Sequence, residues 1–286
     1  MKIALFAFIL LFGIQNLKAQ KPLTLQDAKS FQITSKLNNR AYRLSVSLPE
    51  GYSPNKQYPV FYILDGFYSA AIAHGAHRTL EFFKEIEDVI VVTISGNDHN
   101  KNEWFINRWS DYTYTNDPIN DSAMVRSWNL PAGSLLSGKG DQFLQIIKAE
   151  IIPFIENTFS TNGKRGISGH SLGGLYVANL LFNATDVFEK FGINSPSFKM
   201  WNNNDIMLAE SAYSEKHSAL NAKVILSFGG LEPEDNIQNL KIFENLLKAH
   251  YKNIEIKNVT FDSESHASVV AAMISRNLLY LYQQKK

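Results

Sequence analysis

Short apolar runs that end at turn residues recur along this chain, with helical patterns between them. Tyr58–Leu64 (YPVFYIL) stops at Asp65-Gly66, Val89–Ile94 (VIVVTI) at Ser95-Gly96, and Lys223–Phe228 (KVILSF) at Gly229-Gly230. A strand without a polar face has to be covered on both sides, as in a parallel sheet layered between helices. Tyr42–Leu48 (YRLSVSL) and Ile254–Phe261 (IEIKNVTF) alternate instead, the pattern of half-covered strands. Thr79–Ile86, Gln142–Thr158, Leu172–Phe182, Gln238–Tyr251 and Ala267–Gln283 carry apolar residues at three-to-four spacing, the helical period. Strands alternating with helices predict right-handed crossovers in one doubly wound α/β sheet, mostly parallel, with helices on both faces. No internal repeat or low-complexity linker interrupts residues 21–286, which are expected to form a single domain. One stretch departs from the pattern. His99–Gly140 shows little periodicity and holds Trp104, Phe105, Trp109, Tyr112, Tyr114 and Trp128 among Asn, Asp and Ser. A loop of that length is uncommon unless functional, and it leaves a strand end on the side where such sheets bind ligands.

The first twenty residues, MKIALFAFILLFGIQNLKAQ, read separately. Lys2 gives a positive start, Ile3–Ile14 is an apolar run of twelve, and Ala19 is a small residue near a cleavage point. Twelve apolar residues are too few to span a bilayer, so residues 1–20 are predicted to be a secretory signal and the mature chain periplasmic or secreted, without an integral membrane segment. The chain contains no cysteine. That excludes disulfides and a lipid-modified cysteine. A formal net charge of +1 argues against nucleic acid as a partner, because phosphate binding needs a dense basic face.

The chemistry concentrates in GHSLGG, residues 169–174. Gly169-His170-Ser171-Leu172-Gly173 matches G-x-S-x-G, in which a serine stands on a sharp turn between a strand (here Gly166–Ser168) and a helix. A Cβ at Gly169 or Gly173 is expected to collide within that turn, and Gly174 lets the helix approach the sheet. The turn exposes the Ser171 hydroxyl and aims the Leu172 N–H, at a helix start, at developing negative charge. His170 follows the chain too closely to reach back to Ser171 and be held from its other nitrogen, so a structural role at the base of the turn is expected. A serine–acid–histidine order places the base late in the chain. His74, His77, His99 and His217 do not lie in a loop after one of the last strands, and His250 lies near a helix end. His266, in FDSESHASVV, follows the last strand. The acid belongs after KVILSF, in GGLEPED. Glu232 is nearest the strand end. Glu234 and Asp235 read as charges opening the next helix, and Asp262 and Glu264, close to His266, stay open as alternatives. A second oxyanion donor is expected after YPVFYIL, from the backbone of Phe67 or, less favoured, Gly66. No cluster has metal-ligand spacing, and no cofactor is implied.

YPVFYILDG, RWSDYT, GDQFLQIIKAEIIPFIENTF, GHSLGGLYVANLLF and INSPSFKMW occur in that order. Over about residues 40–285 this resembles the Putative esterase branch of the α/β-hydrolases, which includes esterase D, feruloyl and acetyl-xylan esterases, mycolyltransferases and ferric-siderophore esterases. The resemblance implies the α/β-hydrolase fold, Ser171 as nucleophile, His266 as base and Glu232 as acid. It also implies substrate-binding roles for Arg108, which could hold an anionic oxygen or pair with Asp111 or another loop acid, and for Trp201. The substrate implied is a small-molecule ester, of the siderophore or acylated-carbohydrate kind. Two rivals stand beside the exported esterase: an acyltransferase with the same triad, and an inactive binding protein. The stretch NDPINDSAMVRSWNLPAGSLLSGKG departs from the siderophore-esterase pattern and carries its own aromatics.

Overall fold

In the computed structural model, which describes residues 24–198 and 204–284, Tyr58–Ile63 is buried at every position. Its alternate residues enter two different cores. Val60, Tyr62 and Leu64 join one apolar cluster, while Phe61 and Ile63 join the other. A strand with period-two side chains and no solvent face must lie inside a sheet covered on both sides.

That strand is β3 of a single eight-stranded sheet: β1 (Ala28–Thr34), β2 (Ala41–Ser47), β3 (Tyr58–Ile63), β4 (Ile90–Gly96), β5 (Thr161–His170), β6 (Lys190–Asn194), β7 (Ala219–Gly229) and β8 (Lys252–Phe261). Their spatial order is β1-β2-β4-β3-β5-β6-β7-β8. β2 runs antiparallel to both neighbours, and the strands from β4 through β8 pair in parallel. The chain passes from β3 outward to β4, then returns to β5 on the other side of β3. The ends of β3 and β5 therefore flank the switch point, where crevices form in open α/β sheets.

Helix α1 (Gly66–Phe82) and α9 (Val269–Leu281) cover the face holding Phe61 and Ile63, with Ala73, Met273, Ile274 and Leu278 in the shared core. The opposite face is covered by α2 (Lys101–Asp111), α4 (Gly140–Ile146), a π-helical turn (Ile147–Ile151), α5 (Ile152–Thr158), α6 (Leu172–Asn183) and α8 (Glu234–His250). Two more helices, α3 (Pro118–Ser127) and α7 (Asn204–Ser214), sit in connections. Every residue of α6 from Leu172 to Phe182 is buried. Such a helix, apolar all round, belongs in a core, where each fully buried Leu or Val contributes about 1.5–3 kcal/mol.

The structure corrects the expected elements in four places. His99–Gly140 is not a bare loop: it contains α2 and α3. Asn100 caps α2 by accepting from the amides of Asn102 and Glu103, and Asp117 caps α3 ahead of Pro118. The α2 aromatics Trp104 and Phe105 pack on Trp128, the residue that caps the end of α3, and α3 itself carries no aromatic, so neither helix shows the usual stripe. The helix expected over Thr79–Ile86 starts at Gly66, because its buried face is built of Ser69, Ala73, His74, His77 and Glu81 rather than large apolar residues. Gln142–Thr158 is broken by the π turn just ahead of Pro153, whose missing N–H is tolerated in the first turn of α5. Strands β1 and β6 were not expected. β1 is a mostly exposed edge strand, and β6 is only five residues long.

Candidate active site

The junction between β5 and α6 is a corner. Ser171 adopts φ 59° and ψ −119°, a region that costs a non-glycine residue about 1–3 kcal/mol. The turn is closed so tightly that a Cβ on Gly169 would stand 2.2 Å from the Gly173 carbonyl oxygen. Gly173 has more room than expected, with the Asp65 carboxylate as its nearest neighbour at 3.1 Å. The corner is pinned from β6, since the Ser171 N–H donates to the Asn194 carbonyl at 3.0 Å.

Ser171 Oγ lies 2.9 Å from His266 Nε2. His266 Nδ1 lies 2.9 Å from Glu232 Oε2. Glu232 is buried, and its other oxygen accepts from the Gly229 N–H at 2.9 Å and from the Ser195 hydroxyl. Burial alone would push this carboxyl up. The hydrogen bonds from His266, Ser195 and Gly229 outweigh it and hold Glu232 below the usual glutamate value. A charged Glu232 accepts Nδ1–H, which leaves Nε2 as the acceptor facing the serine hydroxyl.

The loops carrying Glu232 and His266 are joined through their backbones. Gly230 N donates to Phe261 O at 2.8 Å and Leu231 N to Glu264 O at 3.0 Å. A Cβ on Gly229 would meet Glu264 O at 2.4 Å, so only glycine permits this approach. Among the rival acids, Glu234 and Asp235 open α8, while Asp262 and Glu264 present main-chain atoms to Gly230 and Gly229. The structure brings Glu232 to His266.

His170 does not bond Ser171. It is buried, and its ring centroid lies 4.6 Å from that of His266. Burial first, then the neighbouring His266 and Arg108, lowers it from 6.5 to about 3. Between those values the unfolded chain binds a proton that the folded chain does not, so stability falls as pH drops from about 6.5 toward 3. The slope from this group is at most about 1.4 kcal/mol per pH unit. His170→Gln removes that contribution. Its urea midpoint should decline less steeply than the wild type's between pH 6.5 and 4; parallel declines would contradict the assignment.

Arg108 is buried with Asp65. Its Nε and Nη2 meet the two Asp65 oxygens at 2.7 and 3.0 Å. Asp65 also accepts from the Trp104 indole at 3.0 Å and precedes α1 with φ 58°. Asp111 pairs instead with Arg40 at 2.7 and 3.0 Å. Phe67 is the second residue of α1 and Leu172 the first of α6. Amides in a helix's first turn have no acceptor within the helix, and the two helix starts adjoin where Asp65 faces Gly173. Trp201 lies outside the described residues. Asp65, Ser195 and Ser197 lie within the motifs YPVFYILDG and INSPSFKMW but carry no expected site role; the Ser197 hydroxyl is 3.1 Å from Ser171 Oγ. The polar run Asn194-Ser195-Pro196-Ser197, directly after an apolar strand, was the available signal.

Ser171, His170 and His266 form one side of a cleft of about 510 Å³ walled by Trp104, Phe105 and Trp128. Phe105 and Trp128 stack with centroids 3.8 Å apart and planes at 11°. A second cavity of about 390 Å³, between β1, β2 and α1, shares no lining residue with this cleft.

A mostly parallel sheet with a serine corner at its switch point, backed by a histidine and a buried carboxylate, has the layout of an α/β-hydrolase. The chain belongs to the Putative esterase family, whose model matches residues 35–269. It is 27% identical over 269 residues to the ferri-bacillibactin esterase BesA of Bacillus subtilis, covering 90% of each chain. The crystal structure of the BES protein from Bacillus cereus superposes with a TM-score of 0.79 at 25% identity, over 93% of this chain and 99% of that one. An IroE-like serine hydrolase from Shewanella oneidensis shares the fold, with a TM-score of 0.72 at 23% identity over 89% and 80% of the two chains. By family and relatives, the chain is a carboxylic ester hydrolase.

Proposed function

We propose that this esterase hydrolyses a small aromatic ester of the siderophore kind through an acyl-enzyme on Ser171. The observation that carries the reading is the continuous Ser171–His266–Glu232 hydrogen-bonded line, opening on an aromatic cleft. Ser171 Oγ attacks the ester carbonyl while His266 Nε2 takes its proton. Glu232 holds the imidazole tautomer and stabilises its charged form. The amides of Leu172 and Phe67 receive the oxyanion, a donor pair in which each member is worth roughly 10²–10³-fold in kcat. His266 then protonates the leaving alcohol, and water, deprotonated by the same imidazole, releases the acid and restores Ser171.

Arg108 is assigned to holding Asp65, and through it the first turn of α1 beside α6, rather than to gripping substrate with its full fork. Trp201 remains a candidate aromatic of the cleft by resemblance. Export, with residues 1–20 as a cleaved signal from a single domain spanning 21–286, is part of the same proposal. No helix among the described residues is long and apolar enough to cross a membrane. The siderophore side of the reading draws on the B. subtilis relative, named for ferri-bacillibactin.

A panel of a triscatecholate trilactone, methyl ferulate, acetylated xylan and short p-nitrophenyl esters tests it. The trilactone should give the highest kcat/KM, and the p-nitrophenyl esters a burst of nitrophenol equal to the enzyme present. Preference for acetylated xylan would contradict the substrate class. Acyl transfer to an added alcohol in preference to water would favour the transferase.

A further inference from the structure

The cleft's free charge falls in an unexpected place. Two basic side chains of the Lys/Arg type line it, Lys101 and Arg108, and no carboxylate does. Arg108 is already neutralised by Asp65, with both groups buried. Lys101 is exposed and makes no ion pair among the described residues. Its ammonium sits 4.8 Å from the centroid of the Trp128 ring, on the aromatic wall of the cleft that Ser171 also lines. It is also the first residue of α2. A cation there opposes the helix dipole, so helix stability gives no reason for a lysine at this position. The dipole instead adds to the positive potential that Lys101 presents to the cleft.

We infer that Lys101 is the residue that selects esters bearing a negative charge on the part of the substrate that lies along the aromatic wall. The inference rests on the esterase reading and adds a specificity determinant to it. The half-buried rings of Trp104 and Trp128, the latter backed by the buried Phe105, take the flat part of such a substrate. Lys101 supplies the countercharge at its rim, within a cleft whose apolar walls weaken solvent screening.

The test compares Lys101→Met, which keeps an unbranched side chain but removes the charge, with Lys101→Arg, which restores it. Two substrate pairs are used: 4-acetoxybenzoate against 4-acetoxybenzamide, and p-nitrophenyl hemiglutarate against p-nitrophenyl pentanoate. The anionic-to-neutral ratio of kcat/KM should fall roughly 3- to 10-fold in Lys101→Met for at least one pair, mainly through KM. It should recover in Lys101→Arg, and the wild-type preference should shrink in 0.5 M salt, as exposed charge pairs do. Ratios unchanged in Lys101→Met for both pairs would overturn the assignment while leaving the esterase reading intact. A wild-type protein inert toward all four esters and unlabelled at Ser171 would overturn both.

Discussion

Ser171→Ala should lower kcat for every ester by roughly 10⁴- to 10⁶-fold, with little change in KM or in the unfolding midpoint. The hydroxyl's hydrogen-bond contacts are His266 Nε2 at 2.9 Å and Ser197 Oγ at 3.1 Å, so its loss deletes the nucleophile and little packing. Alanine carries the same Cβ as serine and inherits the same φ of 59°, so the strain of the corner is unaltered. His266 and Glu232 remain paired without a partner to activate. What activity remains would come from water attacking a carbonyl bound at the two amides. Steady-state rates of purified variant and wild type, with matched melting curves, check this. A variant within tenfold of wild type would remove Ser171 from the mechanism.

Arg108→Met should cost about 3–5 kcal/mol, because it leaves the Asp65 carboxylate buried without its countercharge. Side-chain exposures of 8% and 1% in this pair place it well inside the protein, where removing one partner is far costlier than at a surface. For a chain of this size that corresponds to a fall in melting temperature of roughly 6–20 °C. Turnover should fall as well. Asp65 precedes α1 and faces the start of α6, so its displacement loosens both helix starts assigned to the oxyanion. A substrate-gripping Arg108 would behave differently, with a raised KM and an unchanged melting temperature. Differential scanning calorimetry beside steady-state kinetics separates the two outcomes.

Much of this architecture can be read along the chain because burial on both faces leaves a plain mark. YPVFYIL, VIVVTI and KVILSF have no solvent side to encode, and all three became sheet strands. KFGIN, β6, is as deeply buried but too short to give a period. AKSFQIT, β1, has a single partner strand, and with most positions exposed only Phe31 and Ile33 alternate, too little to give a period. Helices α2 and α3 leave no apolar stripe because the aromatics of α2 pack on Trp128 just past α3, while α3 itself is short and mixed in polarity. Asn100 with Glu103, and Asp117 with Pro118, were legible caps in hindsight.

The chemistry divides in the same way. Ser171 was marked by glycines that a tight corner requires. His266 and Glu232 were marked by their distance from strand ends, which fixes where a loop residue can reach. Asp65 was marked only as a turn residue closing YPVFYIL, with nothing local to give it a partner. Its importance arises from Arg108, forty-three positions away, meeting it after α2 folds across the end of β3. Long-range pairing of two ordinary charged residues leaves no local pattern, and the same absence concealed Lys101 until the fold placed it beside Trp128.

Ester hydrolysis by this chain requires Ser171 to act as an imidazole-activated nucleophile. Treating the protein with a fluorophosphonate and sequencing its peptides by mass spectrometry tests this directly. One phosphonyl group should appear on the peptide that contains Ser171, and labelling should slow by at least two orders of magnitude in His266→Ala. Continued ester turnover with Ser171 unmodified, or equally fast labelling without His266, would contradict it.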